Sequence, residues 1–282
     1  MVFFPEAMDH IVPKKSLGQN FLVDRNIAQK IVREFDPKEG ELVVEIGPGE
    51  GALTGLLLES GCRLIAVELD PRAAEKVRQL HGTRIEVVEG DILRLDLRDL
   101  AQRRGCGRIR VIGNIPYYIT SPILFHLIGY RDTVSDAMLM MQREVADRLA
   151  ARPRTKDYGI LSVITQTYSE PKRLFDVGPR CFFPAPKVTS AIVRLRFRDL
   201  EGITGIEERH RQLVRAAFSQ RRKTLRNSLS QLLSDQHERA SILGTAGIDE
   251  GERAEELAPG DFIRLARIYS DALESRRGEQ EA

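Results

Sequence analysis

The sequence predicts a doubly wound α/β domain followed by a small all-helical domain. Short apolar runs rich in β-forming residues alternate with helical patterns along most of the chain, which is the arrangement of a parallel sheet covered by helices on both faces. The run LVVEI at 42–46 is apolar at nearly every position, as strands buried on both faces are. After the irregular stretch 198–205 the pattern is helical only. We therefore expect a first domain at 1–200, which includes an N-terminal arm at 1–23, and a second at 201–282.

The first helix is predicted directly after the arm. Asp24 is a residue type favoured at helix N-caps, and Ile27, Ile31 and Phe35 recur behind it at helical spacing. Strands are predicted at 41–46, 63–68, 84–88, 108–112, 137–141, 161–168 and 188–197. Because helical patterns fill most of the intervals between these strands, the connections are expected to be crossovers of a parallel sheet.

The composition indicates a soluble protein without disulfides or a structural metal. Of the 282 residues, 42% are hydrophobic and 30% are charged, which is enough apolar content for a core. No apolar run is long enough to cross a bilayer, and the first residues lack the basic start and apolar stretch of a signal peptide. Cys62, Cys106 and Cys181 lie far apart, which fits neither a disulfide framework nor a zinc site. We expect a cytoplasmic protein with no metal and no membrane partner.

Positive charge is concentrated late in the chain, although the net charge is only +2. Two acidic residues, Glu207 and Glu208, stand beside seven basic ones: Arg209, Arg211, Arg215, Arg221, Arg222, Lys223 and Arg226. Such local density attracts a phosphate backbone. A solvated helix face is the alternative, and charge by itself slightly favours that alternative.

A glycine-rich turn after the first predicted strand indicates a ligand site. In VVEIGPGEGALT, the glycines Gly47, Gly49 and Gly51 allow a tight bend and a close approach of the backbone to a ligand. The motif is weak alone, since many α/β domains have such a turn, and its GxGxG spacing is not the dinucleotide fingerprint. Glu45 precedes the glycines, and we expect it to orient the turn rather than to belong to the site.

Polar residues at the ends of the following strands strengthen this prediction. Glu68 ends the second strand, where a carboxylate can hold both hydroxyls of a ribose, and Asp91 follows the third, where it can accept a hydrogen bond from an adenine amine. Both NAD and S-adenosyl-L-methionine require the ribose contact. Successive parallel strands bring these residues to one edge of the sheet, where open α/β sheets bind ligands.

The segment Asn114-Ile115-Pro116-Tyr117 indicates the chemistry. It resembles, in the form NxPY, the [ND]-P-P-[YFW] signature of methyltransferases that act on exocyclic amines. The Asn114 side-chain carbonyl and a backbone carbonyl, that of Ile115, can accept the amine hydrogens as the nitrogen becomes pyramidal, which stabilises the transition state more than the ground state. Pro116 stiffens the turn, and Tyr117 offers a flat face to an extruded base.

Motifs spread over the chain resemble those of the ribosomal RNA adenine N6,N6-dimethyltransferases, in the small-subunit (KsgA-type) branch. The match runs from about residue 14 to residue 269. It is carried by KKSLGQNFLVD, VVEIGPGEGALT, VELD, EGDIL, GNIPYYITSPILFHL, MMQREVADRL, YGILSVITQ, FFPAPKVTSAIVRL and FSQRRKTLRNSL. This resemblance implies a class I (Rossmann-like) methyltransferase fold.

The resemblance also implies three sets of site residues. The cofactor-binding set is Asn20, Leu22, Gly47, Glu68, Asp91 and Asn114. The catalytic set is Asn114, Ile115, Pro116, Tyr117 and Phe182. The RNA-binding set, on a basic helix of the second domain, is Arg221, Arg222, Lys223 and Arg226. In this scheme Tyr117 and Phe182 stack on opposite sides of the target base, with the adjacent Phe183 as the alternative to Phe182.

The function that the resemblance implies is dimethylation of N6 on two adjacent adenines. These adenines lie in a hairpin loop near the 3′ end of small-subunit (16S) rRNA, the cofactor is S-adenosyl-L-methionine, and the modification contributes to maturation of the small ribosomal subunit. Loop bases are easily splayed out and engaged by aromatic side chains. We expect the enzyme to act as a monomer.

Three other functions compete with this interpretation. A large-subunit rRNA adenine methylase of the macrolide-resistance type shares the cofactor motifs, NxPY and a similar proline loop. A ribosome-assembly factor acting mainly by binding would use the same basic surface. An NAD-dependent oxidoreductase would share the ribose contact but leaves NxPY unexplained.

Overall fold

The computed structural model describes residues 10–198 and 203–281, the last five of these by their backbone only. The strands are β1 (Phe21–Leu22), β2 (Leu42–Ile46), β3 (Arg63–Glu68), β4 (Glu86–Glu89), β5 (Ile109–Asn114), β6 (Val134–Gln142), β7 (Ser169–Val177), β8 (Phe182–Phe183) and β9 (Ser190–Phe197). The helices are α1 (Arg25–Phe35), α2 (Thr54–Glu59), α3 (Pro71–His81), α4 (Leu97–Arg103), α5 (Thr120–Gly129), α6 (Arg143–Leu149), α7 (Ile160–Tyr168), α8 (Glu207–Phe218), α9 (Leu225–Ser228), α10 (Gln236–Thr245) and α11 (Pro259–Glu281).

Seven strands form one sheet in the order β4-β3-β2-β5-β6-β9-β7. The neighbours from β4 to β6 are all parallel, and β9 runs antiparallel to β6. Strand order reverses beside β2, between β3 and β5, which is the topological switch point where open α/β sheets bind ligands. The predicted doubly wound class I methyltransferase fold is confirmed.

The helix after the arm forms as its sequence pattern predicts. The Asp24 carboxylate accepts a hydrogen bond from the Ile27 N–H at 3.1 Å, which caps the first turn of α1. Ile31 and Phe35 of the predicted apolar stripe are buried. Each such side chain contributes about 1.5 to 3 kcal/mol of hydrophobic free energy on full burial.

The predicted strand at 161–168 is wrong, because these residues form the helix α7. Ile164, Thr165 and Thr167 are all buried, and a helix that is buried on several faces shows no polar stripe in its sequence. A short apolar run rich in β-branched residues cannot be distinguished from a strand by periodicity. The neighbouring strand β7 was not predicted. The other six predicted strands coincide with β2 to β6 and β9 apart from their ends.

The chain forms two compact units. The first comprises Met1–Ala146 and Pro171–Phe197, and the second comprises Asp147–Glu170 and Arg198–Ala282. Residues 147–170, which the sequence pattern assigns to the first domain, thus belong to the second unit. Of the predicted boundary stretch 198–205, positions 199–202 lie outside the described residues.

Candidate active site

The glycine-rich turn follows β2 at the switch point of the sheet. Gly47, Gly49 and Gly51 have φ angles of 64°, 56° and 84°, in the left-handed region that glycine adopts without strain. A Cβ on Gly49 would lie 2.8 Å from the ring of Phe21, so the turn and the N-terminal arm are too close for a side chain at this position. This turn therefore requires glycine for space as well as for conformation.

Glu68 lies at the end of β3, beside the turn, and is 7% exposed. Its carboxylate accepts hydrogen bonds from the backbone N–H groups of Gly49, at 3.1 Å, and Asp70, at 2.9 Å. Burial raises the pKa of Glu68, while these backbone bonds oppose the rise. Each carboxylate oxygen retains a further lone pair, so the group can still accept two hydroxyl hydrogens.

Asp91 and Asn114 lie at the ends of the two strands that flank β3 and β2. One Asp91 oxygen accepts from the Leu93 N–H at 3.0 Å, which fixes the side chain at the start of a short 3-10 turn. The Asn114 Nδ2 donates to the backbone carbonyl of Asn20 at 2.9 Å. Within the described part of the chain no donor contacts Asn114 Oδ1 in return. The amide is thus oriented with its nitrogen toward the arm and its oxygen available to a ligand.

The N-terminal arm is held against the turns that follow β2 and β3 by two carboxylates. Glu50, in the glycine-rich turn, accepts from the Ile11 N–H at 2.8 Å. Asp70, two residues beyond Glu68, accepts from the Gln19 amide at 2.9 Å. The hydrogen bond from Arg72 keeps the pKa of Asp70 well below its usual range, so Asp70 remains ionised. The arm therefore connects directly to the loops that carry the predicted site residues.

Tyr117 is positioned by a residue that the sequence did not reveal. Its hydroxyl lies 2.6 Å from the hydroxyl of Ser190, which is fully buried on β9. Burial raises the pKa of Tyr117, so the phenol stays neutral. Ser190 follows the proline loop by a few residues, and nothing in its residue type distinguishes it from an ordinary strand serine.

Phe182 is buried in the core and is not among the residues that line the cleft, so its stacking role stays a prediction, with Phe183 as the alternative. In the pairing of β1 with β8, Phe182 is opposite Leu22 and Phe183 is opposite Phe21. Phe182 and Leu22 are buried together in the core, whereas Phe183 is 51% exposed. Since side chains alternate between the two faces of a strand, Phe183 shares its face with Phe21, whose ring lines the cleft. The sequence does not indicate which of these two consecutive phenylalanines stacks on the base.

The residues at the strand ends line one open cleft of about 780 Å³ in the first unit. Of the predicted site residues it contains Asn20, Gly47, Glu68, Asp91, Asn114, Ile115, Pro116 and Tyr117. Leu22 instead lines a smaller neighbouring cavity of about 320 Å³, which also contacts Glu45, Gly47 and Asn114.

Glu45 lies beneath the turn and is fully buried. The Thr54 hydroxyl donates to its carboxylate at 2.8 Å. Burial raises the pKa of Glu45 to about 7, against the lowering effect of the Thr54 hydrogen bond. The turn is therefore tied to the start of α2 through this pair.

The basic segment FSQRRKTLRNSL is not a continuous helix, contrary to the prediction. The helix α8 ends at Phe218, turns follow to residue 223, and α9 is a single turn. Thr224 has an extended backbone (φ −68°, ψ 162°), which interrupts the helix. Arg221 is paired with Glu255 and Arg226 with Glu250. The remaining two residues of the predicted RNA-binding set, Arg222 and Lys223, are exposed.

No cluster of three or more potential metal ligands occurs among the described residues. In the same part of the chain, no helix has both the length and the apolar character needed to cross a membrane. The three cysteines are free thiols.

Comparison with known proteins gives consistent matches over nearly the whole chain. A family model described as ribosomal RNA adenine dimethylase matches residues 12–271. Proteins called ribosomal RNA small subunit methyltransferase A are similar to the chain: that of Methylococcus capsulatus is 46% identical, covering 91% of this chain and 97% of the relative. The corresponding protein of Salinibacter ruber is 48% identical, with coverages of 90% and 84%.

Two solved structures share the fold over most of its length. A dimethyladenosine transferase from Plasmodium falciparum aligns with a TM-score of 0.73 and 26% identity, covering 86% of this chain and 94% of that one. The 23S rRNA methyltransferase ErmE aligns with a TM-score of 0.65 and 31% identity, with coverages of 88% and 99%. On the family match, which spans far more than half of its length, the chain belongs to the ribosomal RNA adenine dimethylase family.

Proposed function

We propose that this chain uses S-adenosyl-L-methionine to dimethylate N6 of two adjacent adenines in a hairpin loop near the 3′ end of small-subunit (16S) rRNA. The observation that carries the proposal is the orientation of Asn114. Its Nδ2 is occupied by the Asn20 carbonyl, so its Oδ1 is the atom left to accept a hydrogen from an amine. The relatives of 46% and 48% identity, both called small subunit methyltransferases, support the choice of rRNA.

The residues of the cleft fit this cofactor. Buried Glu68 has acceptor capacity for two ribose hydroxyls, and Asp91 has a carboxylate oxygen for an adenine amine. Gly47 lies where cleft and smaller cavity meet, and supports a contact with the methionine portion. When bound, S-adenosyl-L-methionine supplies a methyl group on a positively charged sulfur.

The chain's own contribution to the reaction is alignment and hydrogen bonding. The lone pair of an adenine amine is delocalised into the ring, so the nitrogen must become pyramidal before it can attack. Asn114 Oδ1 and the Ile115 carbonyl accept the two amine hydrogens in that geometry, which stabilises the transition state selectively. The alkylated nitrogen is strongly acidic and loses its proton to water, so the scheme needs no general base. Holding the two reactants in line supplies much of the rate enhancement.

Two aromatic side chains support binding of an extruded base. Tyr117 lines the cleft and is fixed in orientation by Ser190. Phe182 is the predicted second ring, and Phe183, which is exposed and shares its face with Phe21, is the alternative. Base–aromatic stacking contributes about 1 to 3 kcal/mol per base. An adenine stacked on Tyr117 would bring its amine near Asn114, which lines the same cleft.

Contacts to rRNA phosphates are proposed for the second unit. Arg222 and Lys223 are exposed and form the outward part of the predicted set. Arg221 and Arg226 are each paired with a glutamate, so their charges are partly neutralised. We further propose that the protein acts as a monomer in the cytoplasm, in support of small-subunit maturation. Its free thiols fit a reducing compartment.

The test is transfer of labelled methyl groups to purified small and large ribosomal subunits offered in competition. Label in the small-subunit rRNA is expected. Label only in large-subunit rRNA would overturn the proposal in favour of the resistance-type activity, which the likeness to ErmE makes the nearest rival. Binding of subunits and cofactor without any transfer would instead indicate an assembly factor.

A further inference from the structure

A loop at 150–158 in the second unit carries three exposed cationic side chains, those of Arg152, Arg154 and Lys156. Arg154 makes a long ion pair with Glu256 at 3.8 Å. Among residues 10–198 and 203–276, no acidic side chain lies within ion-pair distance of Arg152 or Lys156. The loop also carries the exposed Asp157, which pairs with none of these three side chains, so three cations stand against one carboxylate and the loop has a net positive charge.

The loop is held in a defined shape. At its end Tyr158 is fully buried, and the Tyr158 hydroxyl donates to the Leu257 carbonyl at 2.8 Å. Arg154 has a φ of 67°, a left-handed conformation that is uncommon for a residue with a side chain. Its N–H donates to the Glu255 carbonyl at 2.7 Å, which secures that conformation. Strained positions of this kind occur preferentially at functional sites.

Arg221 joins this loop to the turn at 219–223 within the same unit. Its guanidinium donates to the backbone carbonyl of Lys156 and pairs with Glu255 at 3.1 Å. The two residues that follow, Arg222 and Lys223, are exposed, and in the described part of the chain neither forms an ion pair. Two cationic segments that are distant in sequence are therefore neighbours in space.

We propose that these two segments form one surface that binds RNA phosphates. Arg152, Lys156, Arg222 and Lys223 contact phosphates, and Arg221 is the positioning residue that fastens the loop to the turn. The inference rests on the proposed function and extends it to a loop far from the basic segment in sequence. Phosphates are the ligand because exposed cations without acidic partners, fixed in position, displace the counterions condensed on a polyanion.

The test is binding to small ribosomal subunits that lack the methylation, measured over a range of salt concentrations. Each charge that contacts a phosphate contributes about 0.7 to 0.9 to the slope of log K against log salt. The double variant Arg152→Ala/Lys156→Ala should therefore lower the slope by about 1.5, as should Arg222→Ala/Lys223→Ala. An unchanged slope for the first pair would overturn the proposal, as would a loss of affinity with no change in slope.

A matched control removes two exposed arginines from the first unit, Arg33 and Arg84, neither of which has an ion-pair partner among the described residues. This control should leave the slope unchanged, and an equal decrease would show that only total charge matters. Failure of the wild-type protein to bind or methylate rRNA would instead reject the proposed function. All exchanged residues are exposed, and equal thermal unfolding midpoints would confirm intact folding.

Discussion

The amide of Asn114 links the N-terminal arm to the proposed chemistry. An aspartate in its place would lose the donor to the Asn20 carbonyl, and one of its carboxylate oxygens would repel that carbonyl oxygen. We predict that Asn114→Asp lowers the single-turnover rate of methyl transfer by about 100-fold or more, because repulsion from the Asn20 carbonyl displaces the oxygen that accepts the amine hydrogen. The affinity for ribosomal subunits should change little. The control Asn26→Asp adds the same charge at an exposed position; an equal loss there would contradict the role of the amide.

Ser190 and Tyr117 should act as one unit. Because their hydroxyls bond to each other at 2.6 Å, Ser190→Ala and Tyr117→Phe remove the same interaction. Each is expected to lower methyl transfer about 5- to 10-fold, from a hydrogen bond of about 1 kcal/mol. The double variant should be no slower than either single variant in single-turnover assays. Multiplying losses would show that Ser190 does not act through Tyr117.

Glu45 gives the free energy of unfolding a specific pH dependence. Its folded-state pKa of about 7 lies above its ordinary value of 4.5, so the folded protein binds the extra proton. This contribution to stability is complete below about pH 4.5 and is lost as the pH rises through 7, at about 1.4 kcal/mol per pKa unit. Glu45→Gln, which stays neutral, should flatten the decrease between pH 5 and pH 8 in denaturant unfolding. An identical pH profile in both proteins would mean that folding does not change the pKa of Glu45.

Individual site residues were predictable where a polar residue type stands at the end of a predicted strand. Glu68, Asp91 and Asn114 were predicted to share one edge of the sheet because polar side chains at the ends of parallel strands stand out against apolar runs, and all three line the cleft. Ser190 was not predicted, since it meets Tyr117 only through tertiary packing. The choice between Phe182 and Phe183 depends on which face of β8 points to the core, and that register is set by pairing with β1.

At the scale of elements, the ends of β2 and β5 are pressed together at Gly113. A Cβ there would lie 2.6 Å from the Ile46 carbonyl oxygen, so Gly113→Ala must separate the two strands that carry Gly47 and Asn114. We predict a loss of about 1 to 3 kcal/mol in unfolding free energy together with reduced methyl transfer. Denaturant unfolding and a transfer assay measure both.

Gly107→Ala is the control for this variant, because a Cβ at Gly107 meets no atom within 4 Å. It should leave stability and activity close to wild type. If Gly113→Ala behaved like Gly107→Ala, the strand ends would have room to relax, and the close packing would not be needed for the site.

Amphipathic helices and fully buried parallel strands were predictable from the sequence, whereas α7 was not. The stripe of α1 and the apolar run of β2 each match a single period, so their type follows directly. The helix α7 is buried on most sides, so its sequence shows no amphipathic stripe. It is also rich in β-branched residues, which favour a strand in a sequence-based prediction. The prediction of one helix for the basic segment FSQRRKTLRNSL was wrong for a different reason. The composition of this segment favours a helix, but Thr224 has an extended backbone and interrupts it.

At the scale of the whole molecule, the residues proposed for methyl transfer and those proposed for RNA binding belong to different units. The cleft is lined by the first unit, while Arg222 and Lys223 belong to the second. We predict that Arg222→Ala/Lys223→Ala weakens subunit binding about tenfold at physiological salt but leaves the single-turnover rate at saturating enzyme within twofold of wild type. A comparable loss in that rate would show that these residues help to align the target adenine.

The most direct test of the proposed dimethylation is mass mapping of modified nucleosides in small-subunit rRNA after incubation with the protein and S-adenosyl-L-methionine. We expect N6,N6-dimethyladenine at two adjacent positions near the 3′ end with the wild-type protein, and at neither position with Asn114→Ala. Methylation at another atom or in another rRNA, or full dimethylation by the Asn114→Ala variant, would contradict it.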